Sequence, residues 1–154
     1  ESELSEKCGA PRDIKIKYVL VDDRIIIELI WKNKDASRLP EAMFFNFPMQ
    51  GENIKYQKLG QPVNPFDIVN NGSRNLSAVE SVSFTSNGKR FAVTPMHSPL
   101  VSLGRGKILE FDNLYGDIEK EGFSFNLHNN IWNTNFPLWY SSDGYFRFEI
   151  TSDL

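Results

Sequence analysis

A two-residue period recurs along this chain. In "RDIKIKYVLV" Ile14, Ile16, Tyr18 and Leu20 fall on one side of an extended segment, with Lys15 and Lys17 opposite. In "FSFNL" and "YFRFEI" the pattern repeats with Phe123, Phe125 and Leu127, and then with Phe146, Phe148 and Ile150. Side chains two positions apart share a face only in a β-strand, so these segments predict strands whose apolar faces look toward a core. No window of about eleven residues sustains the i, i+3, i+4, i+7 spacing of an amphipathic helix. The best helical candidate, Asp117 to Glu121, spans about one turn.

The segments between follow the same logic. "RIIIELIW" (24–31) is apolar on both parities and rich in β-branched residues, which predicts a strand covered on both faces, joined to the preceding one by a turn at Asp22 and Asp23. "PEAMFFNFPM" predicts a strand with Phe45 and Phe47 on one face, closed by Pro48 and Gly51. "SNGK" (86–89) is the strongest hairpin signal, because Asn87 and Gly88 tolerate positive φ; Val82 and Phe84 before it should pair with Phe91 and Val93 after it. "KILEF" (107–111) predicts one more strand, and "SLGRG" (102–106) the turn before it, since it lacks the lysine-hydroxyl ending of a phosphate loop and precedes no helix. Residues 60–75, rich in Pro, Gly and Asn, predict an ordered irregular surface loop. Residues 1–11 read as a flexible tail and 12–154 as a single domain. The expected fold is an all-β antiparallel β-sandwich of roughly nine or ten strands, with little or no helix.

Composition bounds what such a domain can do. The chain has 154 residues, 40% of them hydrophobic and twelve of them phenylalanine, enough to bury one core. Its net charge is −3 and its lysines and arginines are scattered, so no phosphate-binding surface, and hence no nucleic acid, is expected. The longest apolar run, "IIIELIW", contains Glu28 and falls far short of the roughly 20 residues of a membrane helix, so no membrane span is expected. The single cysteine, Cys8, excludes an internal disulfide and every multi-cysteine metal motif. Opening on Glu1 without a basic or apolar signal pattern is what a processed or deliberately cut piece would show.

Catalytic chemistry has few carriers. Two histidines and one cysteine make a nucleophile–base arrangement improbable. His97 in "PMHSP" and His128 in "NLHNN" lack paired-ligand spacing, and each reads as a hydrogen-bonded structural residue. Glycoside hydrolysis needs two carboxylates about 5–10 Å apart. Glu110, Asp112, Asp117, Glu119 and Glu121 are available, but their hydrophilic surroundings read as a charged surface loop. The glycosylation triplets at Asn71 and Asn75 are the kind that asparagine-rich loops produce by chance. No catalytic residue and no metal ligand is therefore assigned.

The stretch "LHNNIWNTNFPLWY" (127–140) carries the most recognition chemistry. Trp132, Trp139 and Tyr140 could stack on the apolar faces of sugar rings, and the amides of Asn129, Asn130, Asn133 and Asn135 offer donors and acceptors to ring hydroxyls. The opposing reading is structural, because tryptophans mostly bury and asparagine side chains satisfy neighbouring backbone groups at turns. Composition favours the core for Trp132 and leaves Trp139 and Tyr140 evenly balanced.

Five segments in order, "RLPEAMFFNFP", "KLGQPVNPFDIV", "SPLVSLG", "NLHNNIWNTNFPLWY" and "FRFEI", resemble the carboxy-terminal β-region of bacterial proteins similar to glycoside hydrolase family 38, the α-mannosidases, in a branch described as a domain of unknown function. The resemblance covers most of residues 12–150, its "NNxWxTNFP" core is its most specific motif, and it departs from the family pattern at Ser77, where that pattern has a histidine. It implies a fold like part of a galactose mutarotase-like supersandwich. It also implies a parent enzyme exported to the periplasm or beyond, whose zinc ion and nucleophilic aspartate belong to a catalytic domain outside these residues, with no cofactor held here. On that resemblance the chain is a non-catalytic domain that supports its catalytic domain, with residues 129–140 available to carbohydrate or to the domain interface. A free-standing carbohydrate-binding module is the alternative, and a mutarotase-like enzyme using His97 or His128 as acid and a glutamate as base is a third.

Overall fold

In a computed structural model the chain folds as two antiparallel sheets packed face to face; the structure describes residues 2–49, 51–68, 76–106, 121–131 and 138–152. A short helix, α1 (Ser2–Cys8), precedes the strands β1 (Asp13–Val21), β2 (Arg24–Lys32), β3 (Ala42–Phe47), β4 (Glu52–Lys58) and β5 (Gln61–Val63). After a single 3-10 turn at Pro65–Asp67 come β6 (Ser77–Ala78), β7 (Ser81–Ser86), β8 (Lys89–Pro95), β9 (Leu100–Leu103), β10 (Phe123–Asn129) and β11 (Gly144–Ser152). The larger sheet has the order β1-β2-β11-β8-β7-β4-β5 and the smaller β3-β10-β9-β6. This is the all-β sandwich that the alternation predicts.

Local chemistry sets the hairpins. β1 and β2 pair without interruption from Asp13↔Lys32 to Val21↔Arg24. Asp22 takes φ 54° in the turn, a value that a short polar side chain tolerates. In the β7–β8 hairpin Val82 faces Val93 and Phe84 faces Phe91, and the intervening Asn87 (φ 50°) and Gly88 (φ 74°) make the primed turn expected there. β11 comes from the far end of the chain and inserts between β2 and β8, so that Phe148 stands opposite both Ile27 and Pro95.

The sheets are joined by aromatic packing. Phe45 and Phe47 of β3, Phe123 and Phe125 of β10 and Phe148 of β11 form one cluster in which the Phe45 and Phe148 rings stack at 5.3 Å and the Phe125 and Phe148 rings meet at 5.1 Å. Such pairs contribute about 0.5–1.5 kcal/mol each beyond the area they bury. Val82, Val93 and Val101, each fully buried, fill the spaces beside them. On β10 the residues of the opposite parity, Ser124 and Asn126, are buried too. Ser124 Oγ donates to Gly104 O (2.8 Å) and Asn46 Nδ2 donates to Ser124 Oγ (2.8 Å), so from Phe123 to Asn126 neither face of this strand meets solvent.

Four expectations need correction. Ile14, Ile16, Tyr18 and Leu20 do lie on the core-facing side of their sheet, in register with Trp31, Leu29, Ile27 and Ile25, yet they are 63, 42, 66 and 75% exposed. The reason is width: β3, the edge of the smaller sheet, packs over β11, and β1 projects past it. β2 is covered well on one face only, where Ile27, Leu29 and Trp31 are buried; Ile26 and Ile30 stand on the face turned away from the second sheet and are half-buried. Part of the loop expected over 60–75 is strand β5, which adds to the outer edge of β4 and so accommodates Pro62 without losing an interior ladder bond. The start of the chain, read as a tail, forms α1, with Ser5 Oγ donating to Ala10 O and Gly9 N to Ser5 O. The strand predicted at 107–111, the acidic residues at 110–119 and most of the helical candidate lie outside the described residues.

Two outcomes test this account. Phe148→Ala removes a ring that touches both sheets, and urea denaturation should show a loss of about 3–5 kcal/mol, the range for a large-to-small change at a fully buried aromatic site. On the outer face Tyr145 Oη donates to Glu28 Oε1 (3.0 Å) and Lys17 lies 3.3 Å from Glu28 Oε2; these contacts, the tyrosine's first, hold the Glu28 carboxyl below its ordinary range. A depressed carboxyl adds stability above its unfolded pKa and loses it as the pH falls through the folded value. In Tyr145→Phe the Glu28 titration, followed by carboxyl-carbon NMR, should therefore move upward, and the acid-side loss should be smaller and end at higher pH.

Candidate functional site

The described residues of the stretch 127–140 are held by groups from the segment between β2 and β3. Lys34 lies just beyond β2, its side chain fully buried; its ammonium donates to Glu41 Oε1 (2.7 Å), Tyr140 O (3.1 Å) and Asp35 O (3.2 Å). Removing an ammonium ion from water costs several kcal/mol, and three oxygen acceptors, one of them ionised, offset that cost. The same Glu41 oxygen lies 3.3 Å from His128 Nε2, so one carboxylate joins the start of β3 to β10 and, through Lys34, to the irregular segment that leads into β11.

His128 is delivered by an irregularity. The β10–β3 register shifts between Asn126 and His128, and the bend turns the imidazole toward Glu41 and onto the ring of Tyr140, with centroids 5.3 Å apart and planes at 27°. The adjoining asparagines serve the backbone. Asn130 Oδ1 accepts from Glu41 N (2.6 Å), while Asn130 Nδ2 donates to Leu39 O (3.0 Å) and Leu138 O (2.8 Å). Asn129 Nδ2 donates to Asn126 Oδ1 (2.7 Å), and Asn126 Nδ2 reaches Met43 O and His128 O. Ser98 Oγ donates to Asn126 O in a short buried contact. Beyond Tyr140, Trp31 Nε1 donates to Ser142 O (3.0 Å) and Asn33 N to Asp143 Oδ1 (3.1 Å). Gly144 then passes so close to Trp31 that a Cβ there would sit 2.2 Å from the indole.

Against this fixed backbone Trp139 and Tyr140 remain 49 and 45% exposed, and the Arg38 guanidinium lies 4.9 Å from the Trp139 ring centroid. The residues picked out by sequence thus divide. Asn129 and Asn130 spend their amides on the fold, Trp139 and Tyr140 present aromatic surface, and Trp132, Asn133 and Asn135 lie outside the described residues. Sequence reasoning missed Lys34, Arg38, Glu41 and Asn126. "KDASRLPE" reads as a charged loop, and no local pattern connects it to a partner some hundred positions away.

Chemically the cluster is a clamp with an aromatic rim. Lys34 and Glu41 have their polar atoms directed at each other and at backbone, whereas Arg38, Trp139 and Tyr140 carry stacking surface and a cation at the exterior. His97 packs edge-on against Tyr145 (5.3 Å) and His128 stacks on Tyr140, so each histidine has its own aromatic partner. Among the described residues no group of three or more His, Cys, Asp or Glu side chains is placed to hold a metal ion, and no helix is long and apolar enough to cross a membrane. Comparison of the chain with family models, curated proteins and solved structures found no match.

Lys34→Met leaves a nearly buried carboxylate and the Tyr140 carbonyl without their donor. Denaturant unfolding should show a loss of about 3–5 kcal/mol, the cost of breaking a buried pair from one side, and hydrogen exchange over 138–143 should quicken.

Proposed function

We propose that this β-sandwich is a non-catalytic domain of an exported, α-mannosidase-like glycoside hydrolase, seated on the catalytic domain of the same parent chain and presenting Trp139 and Tyr140 to carbohydrate. The observation that carries the reading is the exposure of two adjacent aromatic side chains on a backbone that Lys34 and Asn130 hold rigid. Pre-ordered aromatic surface binds sugar rings without the ordering cost that a loose loop would add. The asparagine-rich motif before it is the most specific part of the resemblance to the family 38-like β-region. On this reading the zinc ion belongs to the catalytic domain, and the sandwich corresponds to part of a mutarotase-like supersandwich. Such a domain acts by shape: it seats the catalytic unit and lines one edge of its cleft.

The same half-exposed pair favours a second reading, a free-standing carbohydrate-binding module. The two separate on one measurement. The 154-residue chain applied to a glycan array should show no retention if it works only beside a catalytic domain. In the parent enzyme Trp139→Ala should then lower kcat/KM for α-mannosides by about 5- to 20-fold, equivalent to roughly 1–2 kcal/mol, the scale of one aromatic contact. Retention of the chain on the array, abolished by Trp139→Ala, would replace the supporting-domain reading with the module; an unchanged kcat/KM in the parent would remove Trp139 from the substrate cleft.

A further inference from the structure

β1 is an open edge. It runs for nine residues with no proline and no bulge and, among the described residues, pairs only with β2 and ends one side of the larger sheet. Sheet edges are ordinarily shortened, bent or covered because their free N–H and C=O groups accept any extended chain. Here the edge also carries an uncovered apolar row. Ile14, Ile16, Tyr18, Leu20 and the neighbouring Ile25 are 40 to 75% exposed and form one apolar row, the kind of surface that marks an interaction site.

The charge on the other parity selects the occupant. Lys15 and Lys17 stand on the outer face; Lys17 shares Glu28, whereas Lys15 has no carboxylate partner among the described residues. At the Arg12 end an open cavity of about 560 Å³ is lined by Arg12, Lys15, Lys32, Asp13, Ile14 and Ile30; Arg12 is paired with Asp35, which leaves Lys15 and Lys32 against the carboxylate of Asp13. A second copy of β1 fits poorly. Antiparallel pairing over the full length sets Lys17 against its own symmetry mate, and sliding by one residue pair brings Lys15 opposite Lys17 or leaves the two Lys17 side chains diagonal neighbours on one face. A strand that alternates apolar and acidic residues has no such conflict. Its apolar side chains would stand beside Ile14, Ile16, Tyr18 and Leu20, and its carboxylates beside Lys15 and Lys17.

We infer that β1 is a strand-addition site for an extended segment of a partner protein that alternates apolar and acidic residues. The main-chain ladder supplies affinity and the two side-chain rows supply selectivity. This holds whether or not the aromatic rim binds sugar.

The probes are two seven-residue peptides, one alternating valine with glutamate and the other valine with lysine, titrated into the 154-residue chain. The glutamate peptide should bind at least ten-fold more tightly, slow hydrogen exchange of the amides from Asp13 to Val21, and lose its advantage as salt is raised. The double variant Lys15→Glu/Lys17→Glu, both at exposed positions, should reverse the preference. Equal affinity for the two peptides, protection elsewhere than β1, or a chain that sediments as a dimer with β1 already protected would each overturn the proposal, the last by making a second copy the occupant.

Discussion

The phenylalanine stack between β3, β10 and β11 fixes where two sheets of unequal width meet, and most of what is distinctive here follows from that position. Phe45 and Phe47 close onto Phe148, so the edge of the smaller sheet lies over the strand that occupies the third place in the larger one. Beyond that line two strands need cover from elsewhere. β2 finds it at one end, where residues 138–143 lie across Trp31 and accept its indole proton; β1 does not. A wider second sheet would have hidden the β1 row and left no reason for the chain after β10 to return over Trp31.

That return is what the buried lysine secures. An ion pair shielded from water adds little net stability compared with apolar side chains of the same size, because desolvation cancels much of the attraction. What it adds is geometry. Lys34 can be accommodated only where Glu41 and the carbonyls of Asp35 and Tyr140 converge, and Glu41 in turn reaches His128. A greasy contact would tolerate sliding; this one fixes the positions of three segments relative to each other. The exposed pair Trp139–Tyr140 therefore inherits its position from a residue that carries no recognition chemistry of its own.

The strands were legible because period-two alternation and turn chemistry are local properties. Phe84 opposite Phe91 around Asn87-Gly88 follows from a dozen residues. The hairpin of β1 and β2 was legible for the same reason, but the fate of its apolar row was not, since alternation states which side chains share a face and not whether anything lies above that face. Pro62 misdirected the reading of β5, because a proline excludes an interior strand and is harmless at an edge. At the clamp, the asparagines announced that backbone groups needed partners, and Asn130 meets three of them. Lys34 and Glu41 announced nothing: the rule that charged residues stay in water hides those that are buried in pairs, and their partners arrive through long-range topology.

The edge strand and the aromatic rim are neighbours through the same turn. Asn33 Nδ2 donates to Asp13 Oδ2 at the start of β1 (2.7 Å), Asn33 N donates to Asp143 Oδ1, and Arg12 pairs with Asp35 (2.5 Å). The basic end of the open edge thus abuts the segment that carries Lys34 on one side and the approach to β11 on the other. Each of these links is exposed and individually weak, but they act on backbone that the buried clamp already holds. A strand laid along β1 with its acidic end near Arg12 and Lys15 would compete with Asp35 for Arg12, and the disturbance would enter the clamp at Asp35, whose carbonyl accepts from Lys34. A strand docked in this way would bear on the segment that positions the aromatic rim.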